Sequence, residues 1–261
     1  MSGGLVGMVK DGIVQNSTIS DCRFNGSSKV GGLAGLMQGG TANNCSVNKV
    51  TASGIGYIGG FIGELKGGSI DHCSVDGGNI TSYSGTSGGF IAYSITSGTT
   101  ITNCNAKLET ITTYLIAGGL IGEIDYATVE KCNAEITEQI KATYNSMDNS
   151  IYLGGLIGNL SSNATVKDCT AKINAQKEVF SMSYGYIGGL VGYCYNYSNN
   201  SNPLVVNCHG ELNCSVDYCD SVFIGGLIGY CYQSSVTKCS AKLNLSVVNN
   251  AYCYDMYVGG V

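Results

Sequence analysis

This 261-residue chain is poor in charged residues, and it has neither a basic cluster nor a long apolar run. Asp, Glu, Lys and Arg together make up 12% of it, about half the usual share. Its polar surface must therefore come from Ser, Thr, Asn, Tyr and Gly. The net charge of -5 without a Lys/Arg cluster argues against nucleic acid and anionic membranes as partners. With no run of 18 apolar residues, no membrane insertion is predicted.

The usual residue patterns of reactive sites are also missing. The two histidines, His72 and His209, lie far apart in the sequence and make neither a catalytic triad nor a zinc site. Acidic residues are scattered, and no C-x-x-C pair occurs. The glycine-rich segments lack the Lys-Ser/Thr of a phosphate-binding loop. We therefore predict no catalytic residue, no cofactor and no metal, and a protein that is not an enzyme.

Helix signals are absent, and the composition favours strands. Capping residues followed by a 3.6-residue apolar period do not occur, while Gly, Ser, Thr, Asn and β-branched residues dominate. The single proline, Pro203, follows the Asn/Ser-rich loop 196–202, where no ladder hydrogen bond is needed. The sequence predicts an all-β protein.

The chain is rich in one recurring five-residue motif, which we call the word. Its clearest copy is Gly-Gly-Leu-Ile-Gly at 225–229. Variants of it start at Gly3, Gly31, Gly59, Gly88, Gly118, Gly154 and Gly188, and a truncated copy starts at Gly259. The starts lie 28 to 37 residues apart. A fixed word at such a period indicates a repeat architecture, in which each unit buries its apolar face on its neighbours.

Each unit contains three pieces. The first is the word itself, interpreted as a short strand with apolar residues on both faces, whose glycines let another backbone approach closely. The second reads apolar-x-x-Cys-x-small-x-apolar, as in 101–108, with a bend before the cysteine. The third is a variable strand with an expandable loop.

These pieces predict a β-solenoid, a parallel β-helix of about eight coils of 28–37 residues with three short strands each. It forms one continuous domain over 1–261, with regular short coils in 1–117 and longer, Cys- and Tyr-richer coils in 118–261. Because the sequence begins and ends within a repeat unit, we expect this chain to be a fragment of a longer repeat array.

The joined words and Ile/Val-x-x-Cys segments resemble the GLUG-motif repeats over essentially the whole chain. Such repeats occur in large bacterial surface proteins, including the non-catalytic part of IgA-cleaving metallopeptidases, and in adhesin-like proteins of other microbes. The resemblance implies an extracellular or cell-surface protein with an adhesive or spacer role, and it brings no catalytic residue.

Thirteen cysteines fall into two groups. Eight occupy the second piece, one per unit, and are predicted to form an inward column of small hydrophobic residues: Cys22, Cys45, Cys73, Cys104, Cys132, Cys169, Cys208 and Cys239. Four of the remaining five lie at matching places on successive units. Since stacked Cα atoms near 4.8 Å fall within the disulfide range, we hypothesise the disulfides Cys194–Cys231 and Cys219–Cys253.

Eleven of the eighteen tyrosines lie between Tyr184 and Tyr257. They either complete a wider C-terminal core or form a Tyr/Asn/Ser surface for glycans or another protein. The favoured function is a non-enzymatic structural or adhesive rod, self-assembling into fibres end to end or laterally, or binding a glycan or a host or cell-surface protein. The alternatives are a carbohydrate-acting enzyme on a β-helix and, with less support, an ice-binding solenoid.

Overall fold

The computed structural model describes residues 1–143, 150–196 and 202–260. The side chains of 176–183, 217–218 and 248–253 lie outside this description. The described residues form strands and turns, without helices. The part of the chain that is described therefore has no helix with the length and apolar character needed to cross a bilayer.

The strands of the first four coils are β1 (Ser2–Gly3), β2 (Val6–Lys10), β3 (Ile13–Gln15), β4 (Thr18–Ser20), β5 (Arg23–Gly26), β6 (Lys29–Gly31), β7 (Ala34–Gln38), β8 (Thr41–Asn43), β9 (Ser46–Gly54), β10 (Tyr57–Gly59), β11 (Ile62–Lys66), β12 (Gly68–Asp71), β13 (Ser74–Ser82), β14 (Thr86–Gly88), β15 (Ile91–Ser94), β16 (Thr99–Thr102) and β17 (Asn105–Thr113). Those of the later coils are β18 (Ile116–Gly118), β19 (Ile121–Ile124), β20 (Ala127–Glu130), β21 (Asn133–Ala142), β22 (Ile151–Gly154), β23 (Ile157–Ser161), β24 (Thr165–Lys167), β25 (Thr170–Gly188), β26 (Val191–Tyr195), β27 (Leu204–Val206), β28 (His209–Gly225), β29 (Ile228–Tyr232), β30 (Ser235–Thr237) and β31 (Ser240–Gly259).

These strands build a β-solenoid with parallel sheets, as predicted. It has about seven turns, where the sequence predicted about eight coils. Sheet B has the order β2-β7-β11-β15-β19-β23-β26-β29, and sheet C has the order β3-β8-β12-β16-β20-β24-β27-β30. Sheet A contains the strands before each word and those after each cysteine. Each strand pairs with its equivalent one coil away, so the sequence period becomes a ladder along the axis. The register shifts within three pairs of sheet A, which are β17 with β21, β25 with β28, and β28 with β31.

The third coil illustrates the path of the chain. Strand β10 ends in sheet A at Gly59, the chain bends at Gly60 and Phe61, and β11 continues in sheet B. Strand β12 then follows in sheet C, and β13 returns to sheet A. The interior of this coil is apolar, with Ile58, Phe61, Ile62, Leu65, Ile70, Val75 and Ile80 buried. Phe61 stacks on Phe90 of the next coil at a ring-centroid distance of 4.4 Å.

The interpretation of the word as one straight strand is wrong. Alternation along a straight strand would place Ile58 and Phe61 on opposite faces, yet both are fully buried because the chain turns a corner between them. The predicted close approach of another backbone is confirmed. A Cβ added to Gly60 would lie 2.1 Å from the carbonyl oxygen of Gly89 in the next coil.

The variable third piece also differs from its prediction in the later coils. Instead of a strand with an expandable loop, β25, β28 and β31 run for 19, 17 and 20 residues from the cysteine corner to the next word. In the earlier coils this side of the solenoid consists of two shorter strands, such as β9 and β10. The extra residues of the last coils therefore extend sheet A. The loop residues 197–201 lie outside the described part of the chain.

The bend predicted before each cysteine is confirmed, and its backbone is left-handed. The residue preceding the cysteine has a φ of 51° to 55° in every coil: Asp21, Asn44, His72, Asn103, Lys131, Asp168, Asn207 and Lys238. Asn and Asp tolerate this conformation better than residues with longer side chains. The corner therefore explains why short polar residues recur at this position.

Replacing Lys131 with Asn should stabilise the protein. Lys131 adopts φ 54° between coils that carry Asn103 and Asp168 at the same corner, so Lys131→Asn relieves backbone strain. We expect the free energy of unfolding to rise by up to about 1 kcal/mol. Urea denaturation measures it, and Lys107→Asn, at an exposed strand position, is the control. A loss of stability in Lys131→Asn would contradict the strain argument.

Candidate binding furrow

Two columns of side chains face each other on the outside of the solenoid, where sheet A turns into sheet B, and we call the strip between them the furrow. One wall is the sheet-A column, the residues two positions before each word from the second word onward: Lys29, Tyr57, Thr86, Ile116, Tyr152, Tyr186, Phe223 and Tyr257. The other wall is the sheet-B column, the residues five positions after the first glycine of each word: Met8, Leu36, Glu64, Tyr93, Glu123, Asn159, Tyr193 and Tyr230. Both columns stay in register from coil to coil.

Residues of the sheet-A column contact residues of the sheet-B column one coil further on, and in the last coils they also contact those of the same coil, such as Tyr186 with Tyr193 at 5.1 Å. Lys29 forms an ion pair with Glu64. Tyr57 stacks on Tyr93 at 4.2 Å between ring centroids and an interplanar angle of 5°. Further along, Tyr152 stacks on Tyr193 at 4.6 Å, and Tyr186 meets Tyr230 edge-on at 5.3 Å. The same geometry therefore accommodates an ion pair in one coil and aromatic pairs in others.

Glycine makes this close contact between the two walls possible. A Cβ on Gly31 would lie 2.8 Å from the backbone nitrogen of Gly63, and one on Gly63 would lie 2.7 Å from the nitrogen of Val30. Real Cβ atoms do not approach other atoms this closely, so backbone forms the floor of the furrow. The word thus sets both the corner and the distance between the columns.

In the last coils the aromatic rings also stack along the axis. Tyr193 and Tyr230 lie 5.2 Å apart with an interplanar angle of 9°, and Tyr195 and Tyr232 lie 5.1 Å apart at 14°. The rings are half-buried or exposed, so they lie on the outer surface rather than completing the core. Because neighbouring rings cover each other's faces, this surface offers mainly ring edges and phenol hydroxyls.

In the middle of the furrow the aromatic residues give way to a polar group, which the sequence analysis missed. Glu123 and Asp125 lie on one coil, and Asn159 and Ser161 lie on the next. Asn159 Nδ2 donates to Glu123 Oε1 at 3.2 Å, and Ser161 Oγ donates to Asp125 Oδ1. Burial raises the pKa of Asp125 to about 6. Burial and the adjacent Asp125 raise the pKa of Glu123.

A signal for this group was present in the sequence. Glu123 and Asp125 occupy the fifth and seventh places after Gly118, where other coils carry Glu64 and Lys66 or Tyr193 and Tyr195. Their shared outward face becomes clear only once the corner inside the word is known. The two carboxyls are the acidic pair of the furrow.

The furrow contains a depression of about 360 Å³ that is lined by the stacked Tyr57 and Tyr93 together with Glu64 and Lys66. A larger depression of about 540 Å³ lies elsewhere, against the sheet-A strands that follow the cysteine corners. Its charges compensate each other, because Lys107 pairs with Glu135 at 3.1 Å and Glu211 pairs with two lysines. The furrow is the better candidate site, since it combines aromatic rings with carboxyls.

The eight cysteines of the second piece stand in one column at the corner between sheets C and A. Six are buried, and Cys22 and Cys239, near the two ends, are half-buried. Backbone nitrogens donate to sulfur one coil further on, for example Cys104 N to Cys132 Sγ at 3.4 Å. Burial raises the pKa of Cys73 to about 12. Among the described residues, no three His, Cys, Asp or Glu side chains converge as a metal site would require.

The four cysteines of the hypothesised disulfides also lie in register. Cys194 is the cross-strand partner of Cys231, and Cys219 is that of Cys253. Cys194, Cys231 and Cys219 are thiols in this structure, and the side chain of Cys253 lies outside the described residues. Hydrogen bonding with Cys194 lowers the pKa of Cys231 to about 7. Both disulfides stay predictions.

Comparison with known protein families identifies one segment of the chain. The profile of the GLUG motif matches residues 54–81, which contain the third word and the third cysteine corner. This segment is therefore similar to the GLUG motif. The predicted resemblance is thereby confirmed, and the in-register coils on both sides share the geometry of this segment. Neither a curated protein nor a solved structure matches the chain.

Proposed function

We propose that this chain is a non-enzymatic repeat segment of a microbial surface protein, and that it binds an extended glycan along its outer furrow. The observation that carries the proposal is the pair of facing columns, which repeat once per coil in parallel strands about 4.8 Å apart. A ladder of equivalent positions suits a ligand that is itself a linear repeat.

The chemistry of the furrow favours a glycan over a charged polymer. Phenol hydroxyls and ring edges of Tyr193 and Tyr230 line its C-terminal part, and the half-buried carboxyl groups of Glu123 and Asp125 lie in its middle. Tyrosine offers apolar contact area together with a polar tip. Carboxyl groups can exchange hydrogen bonds with sugar hydroxyls.

Truncating the furrow tyrosines should remove glycan binding without unfolding the solenoid. For Tyr193→Ala combined with Tyr230→Ala, we expect at least a ~10-fold weaker affinity, because two ring contacts are lost. A panel of soluble polysaccharides measured by isothermal titration calorimetry identifies the ligand and gives both affinities.

The matched control is Tyr254→Ala, which removes a tyrosine ring that is 79% exposed and lies outside both columns. It should leave the affinity unchanged. Thermal unfolding of all variants separates lost binding from lost structure. The proposal would be wrong if the furrow variant and the wild type bound equally well, or if no polysaccharide bound. Binding of a protein instead of a polysaccharide would show that the ligand is not a glycan.

A carbohydrate-acting enzyme is the second candidate, and the acidic pair favours it. A carboxyl whose pKa is raised to about 6, such as Asp125, can donate and accept a proton near neutral pH. Chain shortening of a bound polysaccharide over time, abolished in Asp125→Asn, would establish catalysis. Binding without new reducing ends would leave the non-enzymatic proposal standing.

Self-association into fibres also stays a proposal, although the word does not supply a surface for it. Residues 58–65, from Ile58 to Leu65, are all buried within the coil. The lateral packing expected from a strand with two exposed apolar faces therefore has no counterpart at the third word. Sedimentation across a range of concentrations tests assembly directly.

A further inference from the structure

The outer face of sheet B carries a cluster of four oxygen-bearing side chains on two adjacent coils. Glu123 is the cross-strand partner of Asn159, and two residues further on Ser161 Oγ donates to Asp125 Oδ1. Neighbouring strands lie about 4.8 Å apart, and alternate residues on one strand lie about 6.6 Å apart. The four side chains thus border one small patch, which we call the oxygen cluster.

The oxygen cluster contains two carboxyls but no basic residue. Among the described residues, neither Glu123 nor Asp125 forms an ion pair. Glu64 occupies the same column two coils earlier and pairs with both Lys29 and Lys66. The sheet-B column therefore allows a carboxylate to have a lysine partner, and its geometry does not explain why Glu123 lacks one. Burial disfavours two adjacent carboxylates unless a cation compensates them or a proton neutralises one of them.

Asn159 provides a second, independent observation. Its side chain is nearly inaccessible, with 5% of the residue exposed. Its Nδ2 donates to Glu123 Oε1, whereas its Oδ1 is buried without a hydrogen-bond partner among the described residues. Rotating the amide by half a turn exchanges the two atoms, which gives up the hydrogen bond to Glu123 and brings the amide oxygen beside that carboxyl. A buried amide oxygen needs either a donor or a cation.

We propose that Glu123, Asp125, Asn159 and Ser161 bind a calcium ion. All four ligands are oxygens, which suits a hard cation and excludes the nitrogen and sulfur donors that zinc prefers. Two carboxylates neutralise the double positive charge, and the amide and hydroxyl oxygens provide further ligands. Calcium accepts six to eight oxygens in flexible geometry, so water completes the shell, whereas magnesium demands a stricter octahedron.

The site joins two coils across the middle of the furrow. Glu123 and Asp125 belong to the coil that starts at Gly118, and Asn159 and Ser161 to the coil that starts at Gly154. Calcium would therefore stabilise the contact between these coils whether or not a glycan occupies the furrow. The expected affinity is that of weak extracellular calcium modules, with a Kd of about 10⁻⁴ to 10⁻³ M.

Titration of chelator-treated protein with CaCl₂ tests the site. We expect the melting temperature to rise by roughly 3–5 °C when calcium reaches about ten times its Kd, and to rise less with MgCl₂ at equal ionic strength. Tyr93 and Tyr193 flank the cluster in the same column. Terbium bound there should emit light sensitised by tyrosine, and calcium should displace it.

Glu123→Gln tests the assignment of the ligands. This variant should bind calcium at least ~10-fold more weakly, yet without calcium it should be no less stable than the wild type, because it loses an uncompensated buried charge. The matched control Glu64→Gln removes a carboxylate from the same column and should keep the full calcium response. Asp125→Asn provides a second test should Glu123→Gln fail to fold.

Two results would overturn the proposal. One is a wild-type protein that shows neither a calcium-induced thermal shift nor sensitised terbium emission at millimolar concentrations. The other is an equal calcium response in Glu123→Gln, Asp125→Asn and the wild type, which would place the ion elsewhere. A glycan that fails to bind leaves these measurements unchanged, so the two proposals fail separately.

Discussion

Gly119→Ala should destabilise the solenoid by about 3 kcal/mol or more. The added Cβ would lie 2.0 Å from the carbonyl oxygen of Gly155 in the next coil and 3.1 Å from Ala134 Cβ. The first distance is far below any van der Waals contact, and the oxygen belongs to the backbone. The clash can be relieved only if two coils separate, which strains the ladder hydrogen bonds between them.

The same clash recurs along the stack, which explains why the second place of the word is always glycine. A Cβ on Gly4, Gly32, Gly60, Gly89, Gly155, Gly189 or Gly226 would lie within 1.9 to 2.4 Å of a carbonyl oxygen one coil further on. Gly260 is the exception, since nothing lies within 4 Å of its added Cβ. Gly260→Ala is therefore the matched control, with an expected change within about 0.5 kcal/mol.

Urea denaturation followed by circular dichroism compares the two variants. Because each coil contacts mainly its neighbours, hydrogen exchange in Gly119→Ala should be fastest around the coils that start at Gly118 and Gly154. Equal stability of Gly119→Ala and Gly260→Ala would show that the coils can move apart at little cost.

The sequence sufficed to predict the solenoid, because its dominant signal is periodic. Gly59, Gly88 and Gly118 became in-register partners in sheet A, as a repeat of 28 to 37 residues requires. The bend before the cysteine was also predictable, since Asn and Asp favour the left-handed backbone found at Asn103 and Asp168.

The furrow could not be predicted, because it depends on where the word bends. Simple alternation assigned Ile58 and Phe61 to opposite faces, whereas a corner between them directs both inward. Only with this corner in place do Tyr57 and Tyr93 face each other. The raised pKa of Asp125 could not be predicted either, because it results from burial. The residues next to Asp125 in the sequence do not indicate that burial.

Cysteine reactivity should distinguish the end of the stack from its centre. Hydrogen bonding with Cys194 lowers the pKa of the exposed Cys231 to about 7. The hydrogen-bonded Cys104 thiol, together with burial, raises the pKa of Cys132 to about 12. Near neutral pH, Cys231 therefore carries a larger thiolate fraction than Cys132.

We expect Cys231 to be alkylated by iodoacetamide at least ~100-fold faster than Cys132 in the folded protein. The larger thiolate fraction of Cys231 speeds its reaction, although a thiolate of low pKa is intrinsically less nucleophilic, which offsets part of this advantage. Burial of Cys132 slows its reaction further. Mass spectrometry of peptides after short exposures gives both rates, and Cys231→Ser should abolish the fastest reaction.

The same measurement tests the hypothesised disulfide between Cys194 and Cys231. With oxidised glutathione, the Cys231 thiolate attacks one glutathione sulfur and releases reduced glutathione. The Cys194 thiol then loses its proton and displaces the second glutathione, closing the bridge. The fast-reacting thiol should disappear, the intact mass should fall by two hydrogens, and reductant should restore both. A mixed glutathione adduct that persists on Cys231 would show that the register brings the two residues together without allowing the disulfide geometry.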